Sequence, residues 1–188
     1  MLFIETSGTW SNMGRQIGRQ FGDQLRQCMQ YYSPWLLADP ARYARPVAQL
    51  RAQVVQHMPE LLAETEGMAA GAELDPDTLL GYRFFNEVRQ RLSEGCSVVF
   101  VADSEQGPLL GRNCDLGPGL DPEVQLCRLS RPDQGEPTLT ITYLGLAGGV
   151  GLNADGLAIG GASAQTSARF GDNGLPGQVL LGLLLQRC

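Results

Sequence analysis

The residue types that could do chemistry concentrate on either side of one predicted turn. Gly95-Cys96-Ser97 opens the apolar, β-branched run CSVVFVA, and Gly111-Arg112-Asn113-Cys114-Asp115 follows the turn-forming DSEQG. Joined as a hairpin, two such strands bring Cys96 and residues 112 to 115 to one end of a sheet. The chemistry this allows is nucleophilic. If the Gly95–Cys96 peptide bond is broken, Cys96 carries a thiol and an α-amine on one residue. Such an amine titrates at about 7.7–8.0, so part of it is unprotonated near neutrality and can serve as the local base. Asp115 would hold that amine in position, and Arg112 would either favour the thiolate or pair with Asp115. On a regular strand Arg112 and Asp115 face opposite sides, so both reach Cys96 only where the strand ends or bulges. Gly117-Pro118-Gly119, just beyond, makes an ending the expectation. The plain alternative is that Cys96 is a core thiol at the start of a buried strand.

Other reactive side chains have less support from their surroundings. His57, the single histidine, precedes Met58-Pro59 at the end of a predicted helix, where the negative end of the dipole accounts for it. A thiol peptidase with His57 as base would require it within reach of Cys96. Cys28 falls on the apolar side of the first helix and Cys127 on an alternating strand, both suited to packing. Five cysteines without regular spacing or a CxxC pair form neither a disulfide framework nor a zinc site. No metal or resident cofactor is expected.

The elements that must position these groups change character near residue 93. Before it the periodicity is helical. Met13, Ile17, Phe21, Leu25 and Met29 make one apolar stripe, with Gly14, Gly18 and Gly22 beside it at the same spacing. Each glycine costs about 1 kcal/mol against alanine in a helix, so close packing on another element is the compensation expected. A second helix is predicted over 41–57 and a third from Pro59 to Gly71. A fourth starts at the Asp75-Pro76 cap and carries Leu79, Leu80, Phe84, Val88 and Leu92. After Gly95 strands follow. CSVVFVA reads as covered on both faces. In TLTITYL, threonines alternate with Leu139, Ile141 and Tyr143, which suits one drier face. Asn153-Ala-Asp-Gly156 is a hairpin turn, and Val179 to Leu185 reads as a buried helix. That last helix stops at Arg187-Cys188 with no cap, which predicts that the chain is a piece of a longer protein.

Composition narrows the class. At 188 residues the chain is long enough for one domain with a real core, and its net charge of −6 argues against nucleic-acid binding. No signal peptide and no bilayer-length apolar run are visible, so a cytoplasmic protein without a membrane partner is expected.

The order of these motifs resembles the acyl-coenzyme A:6-aminopenicillanate acyltransferase family and, more distantly, penicillin V acylase and bile salt hydrolase. Gly-Thr-Trp-Ser-Asn-Met-Gly-Arg-Gln-Ile-Gly from Gly8 is similar to the family's first helix, and Glu64-Thr-Glu-Gly-Met-Ala-Ala-Gly-Ala to its next helical motif. Gly95-Cys96-Ser97 is similar to the self-cleavage and nucleophile position. Gly111-Arg112-Asn113-Cys114-Asp115 is similar to a motif whose Asp contacts the nucleophile and whose Arg is an active-site residue of the wider group. Gly151-Leu152-Asn153-Ala154-Asp155-Gly156-Leu157-Ala158 is similar to the hairpin that follows, and Gly174-Leu-Pro to the start of the next helix.

The resemblance implies an α+β chain with the αββα sandwich of N-terminal-nucleophile hydrolases. A helical pro-segment, 1–95, would precede the first part of the catalytic domain, 96–188, and stay with it as a subunit after cleavage. Cys96 would attack the Gly95 carbonyl, the acyl shift to sulfur would free the α-amine, and hydrolysis of the resulting thioester would restore the thiol. The mature Cys96 would then take an acyl group from a small amide or acyl thioester, coenzyme A thioesters included, and pass it to water or an amine. Bile salt hydrolase has an oxyanion Asn where Ser163 stands here, so Ser163 and Asn113 are the candidate oxyanion or substrate contacts. The family's later Asn and Arg would lie beyond residue 188. A binding or scaffold module that keeps the fold without the chemistry is the alternative.

Overall fold

The glycine spacing of the first helix has a direct structural cause in the computed structural model, which describes residues 1–89, 96–114, 124–148, 150–162 and 174–187. Helix α1 (Trp10–Tyr32) lies against α4 (Pro59–Ala72), and their backbones touch. A Cβ on Gly14 would sit 2.0 Å from the Glu64 carbonyl oxygen, and one on Gly18 2.2 Å from that of Met68. The seam is reciprocal. A Cβ on Gly67 would meet the Ser11 carbonyl oxygen at 2.0 Å, and one on Gly71 that of Arg15 at 2.5 Å. Gly22 is different, because its nearest neighbour would be Ala72 Cα at an ordinary 3.4 Å. The whole stripe Met13, Ile17, Phe21, Leu25 and Met29 is buried, as its period requires.

Helices α2 (Pro34–Ala38) and α3 (Pro40–His57) complete this layer with α5 (Pro76–Arg83) and α6 (Phe85–Arg89). Asp75 caps α5, its carboxylate accepting from the Thr78 N–H at 2.8 Å. The fourth predicted helix is therefore two short ones, broken at Phe84 (φ −125°, ψ 39°). Residues 79 to 84 are all buried, more than one helix face can hide. The break lets neighbouring Arg83 and Phe84 turn to different partners.

A strand that the sequence reading did not anticipate opens the chain. β1 (Leu2–Gly8) runs parallel to β4 (Gln125–Pro132), Leu2 beside Leu126 and Gly8 beside Pro132. The first half is thus not helical throughout. β5 (Thr138–Tyr143), β6 (Val150–Asn153) and β7 (Ala158–Ile159) continue the sheet antiparallel, in the order β1-β4-β5-β6-β7. β2 (Cys96–Val101) and β3 (Leu109–Cys114) form a separate antiparallel hairpin. Helix α7 (Gly177–Arg187) follows the five-stranded sheet. The chain is mixed α+β.

The two faces of the large sheet reverse an expectation. In β5 the threonines are the more buried set, while Leu139 and Ile141 are exposed. Register places Thr138 in one cross-strand row with Thr6, Ser130 and Asn153, all buried beneath the helices. Phe3, Leu139, Ile141 and Leu152 belong to the outer face and are exposed. The strand CSVVFVA is not covered on both faces either: Val99 and Phe100 are 61% and 65% exposed. α7 buries Val179 and Leu185 but exposes Leu180 and Leu184, so it is covered on one side only.

One carboxylate joins the layers. Glu64 of α4, 3% exposed, accepts from Arg83 Nη2 of α5 at 2.8 Å and from Arg128 Nη1 of β4. Arg128 Nε also donates to Thr6 Oγ1 of β1 at 3.1 Å. Burial alone would raise the Glu64 carboxyl, but the charges of Arg128 and Arg83 outweigh it and hold the pKa below its ordinary value.

Three substitutions test this packing. Gly67→Ala is expected to cost about 3 kcal/mol or more, because the methyl group meets backbone that cannot move aside. Gly22→Ala is expected to be neutral or stabilising by up to about 1 kcal/mol; equal losses in urea melts would refute the seam. Glu64→Gln leaves the buried Arg83 and the partly buried Arg128 without their anion and is expected to cost about 3–5 kcal/mol near neutral pH. A carboxyl with a depressed folded pKa stabilises above its unfolded value, about 4.3, and loses that effect as pH falls through the folded pKa. The gap between wild type and Glu64→Gln should therefore narrow only below about pH 4.

Candidate functional site

The hairpin register decides which predicted residues meet. Cys96 pairs with Cys114, Ser97 with Asn113 and Val98 with Arg112. Side chains alternate along a strand, so Arg112, two residues from the partner of Cys96, belongs to the Cys96 face. Its Nη2 lies 3.5 Å from Cys96 Sγ. Asn113 is exposed and belongs to the other face, with Ser97. Cys96 is half-buried and its thiol is reduced, as are those of Cys28 and Cys127. Gly95, Asp115 and Ser163 lie outside the described residues. His57 closes α3.

What this arrangement can do chemically is limited and definite. A guanidinium beside a sulfur stabilises negative charge on that sulfur, and the thiolate is the nucleophilic form. Cys96 is also the first residue of its strand.

A second concentration of polar groups escaped sequence reasoning. Glu64, Arg83 and Arg128 border a cavity of about 100 Å³ between the inner sheet face and helices α4 and α7. Ser130, Thr138, Thr140 and Thr142 add hydroxyls, and Leu61, Met68 and Leu181 add apolar wall. Glu87 reaches this region through Gln178, and burial raises its pKa to about 7. The one signal available beforehand was the row of threonines on β5, misread as the wet side. Cys96 and Arg112 are not part of this cavity.

Among the described residues no group of three or more His, Cys, Asp or Glu is placed to hold a metal ion. No described helix is long and apolar enough to cross a membrane. Compared with known proteins, the chain matches no protein-family model and no curated protein.

The Arg112–Cys96 contact makes a kinetic claim. Arg112→Met is expected to slow iodoacetamide alkylation of Cys96 roughly three- to tenfold at neutral pH, while Cys127 reacts as before. Peptide mapping of the two sites over time measures both, and an unchanged Cys96 rate would remove Arg112 from the site.

Proposed function

We propose that the chain is a self-processing cysteine amidohydrolase or acyltransferase of the N-terminal-nucleophile type, with Cys96 as nucleophile. The observation that carries the reading is the guanidinium of Arg112 at 3.5 Å from Cys96 Sγ, on a hairpin whose second strand ends at Cys114, the residue before Asp115 in the sequence. In the first reaction Cys96 Sγ attacks the Gly95 carbonyl carbon, the C–N bond breaks, and the nitrogen of Cys96 takes a proton to become an amine. Water then hydrolyses the thioester, giving the Gly95 carboxylate and restoring the thiol. In the second reaction the same sulfur takes an acyl group from a small amide or acyl thioester, with the new α-amine as local base. Arg112 stabilises the thiolate, and Asp115 holds the amine. Ser163 stands as a candidate oxyanion donor; such a donor is typically worth about 3 kcal/mol in the transition state.

The αββα architecture belongs to the same proposal. Helices cover one face of the five-stranded sheet, and its other face is apolar and exposed, which suits a second sheet begun by β2 and β3. The division at 95 and 96 is compatible with a stable product. β1 and Glu64 fall on one side of the cut, and β4 with Arg128 on the other. Seven register pairs and a buried ion pair would hold the two pieces together without the peptide bond.

The test is the denatured intact mass of the complete gene product beside a Cys96→Ala control. Two pieces dividing between Gly95 and Cys96, with an uncut control, are expected. Size exclusion under native conditions should elute both pieces as one species. An uncut wild-type protein would remove the self-processing mechanism and favour a binding module with the same fold.

A further inference from the structure

Arg83 is only partly used by the protein around it. Its side chain is 4% exposed and Nη2 donates to Glu64 Oε2, yet Nε and Nη1 have no hydrogen-bond partner among the described residues. Arg128, the other cation on Glu64, is fully engaged: Nε donates to Thr6 Oγ1, Nη1 to Glu64, and Nη2 points to Met13 Sδ at 3.9 Å. The cluster therefore holds one carboxylate and two guanidinium groups, a net charge of one positive, in a place where an uncompensated charge is costly. Glu87 does not supply the missing anion: no ion pair among the described residues joins it to Arg83, whose partner is Glu64. Its carboxyl is hydrogen-bonded to Gln178 and to its own backbone, and burial raises its pKa to about 7.

The cavity beside Arg83 has room for what is missing. A water needs about 10–15 Å³ and a cavity near 150 Å³ takes benzene, so about 100 Å³ admits a solute of a few heavy atoms. Water would satisfy the free N–H groups but not the charge. One wall carries the hydroxyls of Ser130, Thr138 and Thr140, and another the apolar side chains of Met58, Leu61 and Leu181. A ligand matched to both walls has an anionic head and a short hydrocarbon tail. We propose that this cavity binds a short aliphatic carboxylate, whose carboxylate accepts from Arg83 and whose tail lies along the apolar wall. The site is separate from Cys96 and goes beyond the activity proposed for it.

The test is thermal unfolding of the full chain in rising sodium butyrate, in slightly acidic buffer at constant ionic strength. Butyramide, the uncharged isostere, and inorganic phosphate are the comparisons. A saturable rise in Tm with butyrate alone is expected. No saturable rise with butyrate, or an equal rise with butyramide or phosphate, would overturn the proposal. Arg83→Gln locates the site and is expected to weaken butyrate binding about tenfold or more. Should that variant not fold, Leu181→Phe narrows the cavity without altering charge and should weaken binding to a similar degree. Unchanged affinity in whichever variant folds would place the ligand elsewhere and refute the assignment.

Discussion

A carboxylate enclosed by protein and shared between two guanidinium groups sets how the helical layer meets the sheet. Glu64 stands on α4, Arg83 on α5 and Arg128 on β4, and Arg128 extends the link to β1 through Thr6. Buried ions of this kind contribute less to net stability than their contacts suggest, because each charge is removed from water. What they impose is arrangement: an alternative packing that separated them would strand a charge in a low-dielectric interior. The glycine seam acts on the same residue from behind. Gly14 lies against the Glu64 carbonyl, so the approach of α1 sets the height of α4 and with it the position of the carboxylate.

The inner face of the sheet then has to be polar. Thr6, Ser130, Thr138 and Asn153 form one buried row, and Arg128 with Thr140 the next. A purely apolar face could not sit opposite a carboxylate and two guanidinium groups. The displaced apolar residues appear on the outer face, as Phe3, Leu139, Ile141 and Leu152. Tyr82 closes the opposite corner, its hydroxyl donating to the Leu144 carbonyl at 2.8 Å. Gly145, next in the chain, has φ +82°, and a Cβ there would strike Leu25 and Tyr82 at 2.4 and 2.7 Å.

Legibility in the sequence followed range. The glycines at 14 and 18 could be read because their spacing is local and their cost demands a neighbour; the reciprocal pair at 67 and 71 names that neighbour only once the helices are placed. The hairpin that brings Arg112 to Cys96 was also local, set by the turn-forming DSEQG between two short strands. Glu64, Arg83 and Arg128 were invisible as a group, since 19 and 64 positions separate the partners and nothing in the intervening residues marks them. β5 was read inside out because alternation reveals two faces without saying which is inward. β1 was missed because seven residues, LFIETSG, alternate as well outside a sheet as in one. The helix broken at Phe84 kept a helical period on both sides of the break, so periodicity alone could not locate it.

The parallel pairing of β1 with β4 has a consequence for how the chain is made. Thr6 and Arg128 are 122 positions apart, and synthesis at about 5–20 residues per second separates their emergence from the ribosome by roughly ten seconds. β1 therefore waits for β4 before it can join the sheet. During that interval Leu2 to Gly8 is an unpaired strand carrying Phe3 and Ile4, while α1 and α4 can already dock behind it. Until β4 emerges, the backbone N–H and C=O groups of Leu2 to Gly8 that it will pair have no sheet partner and rely on water.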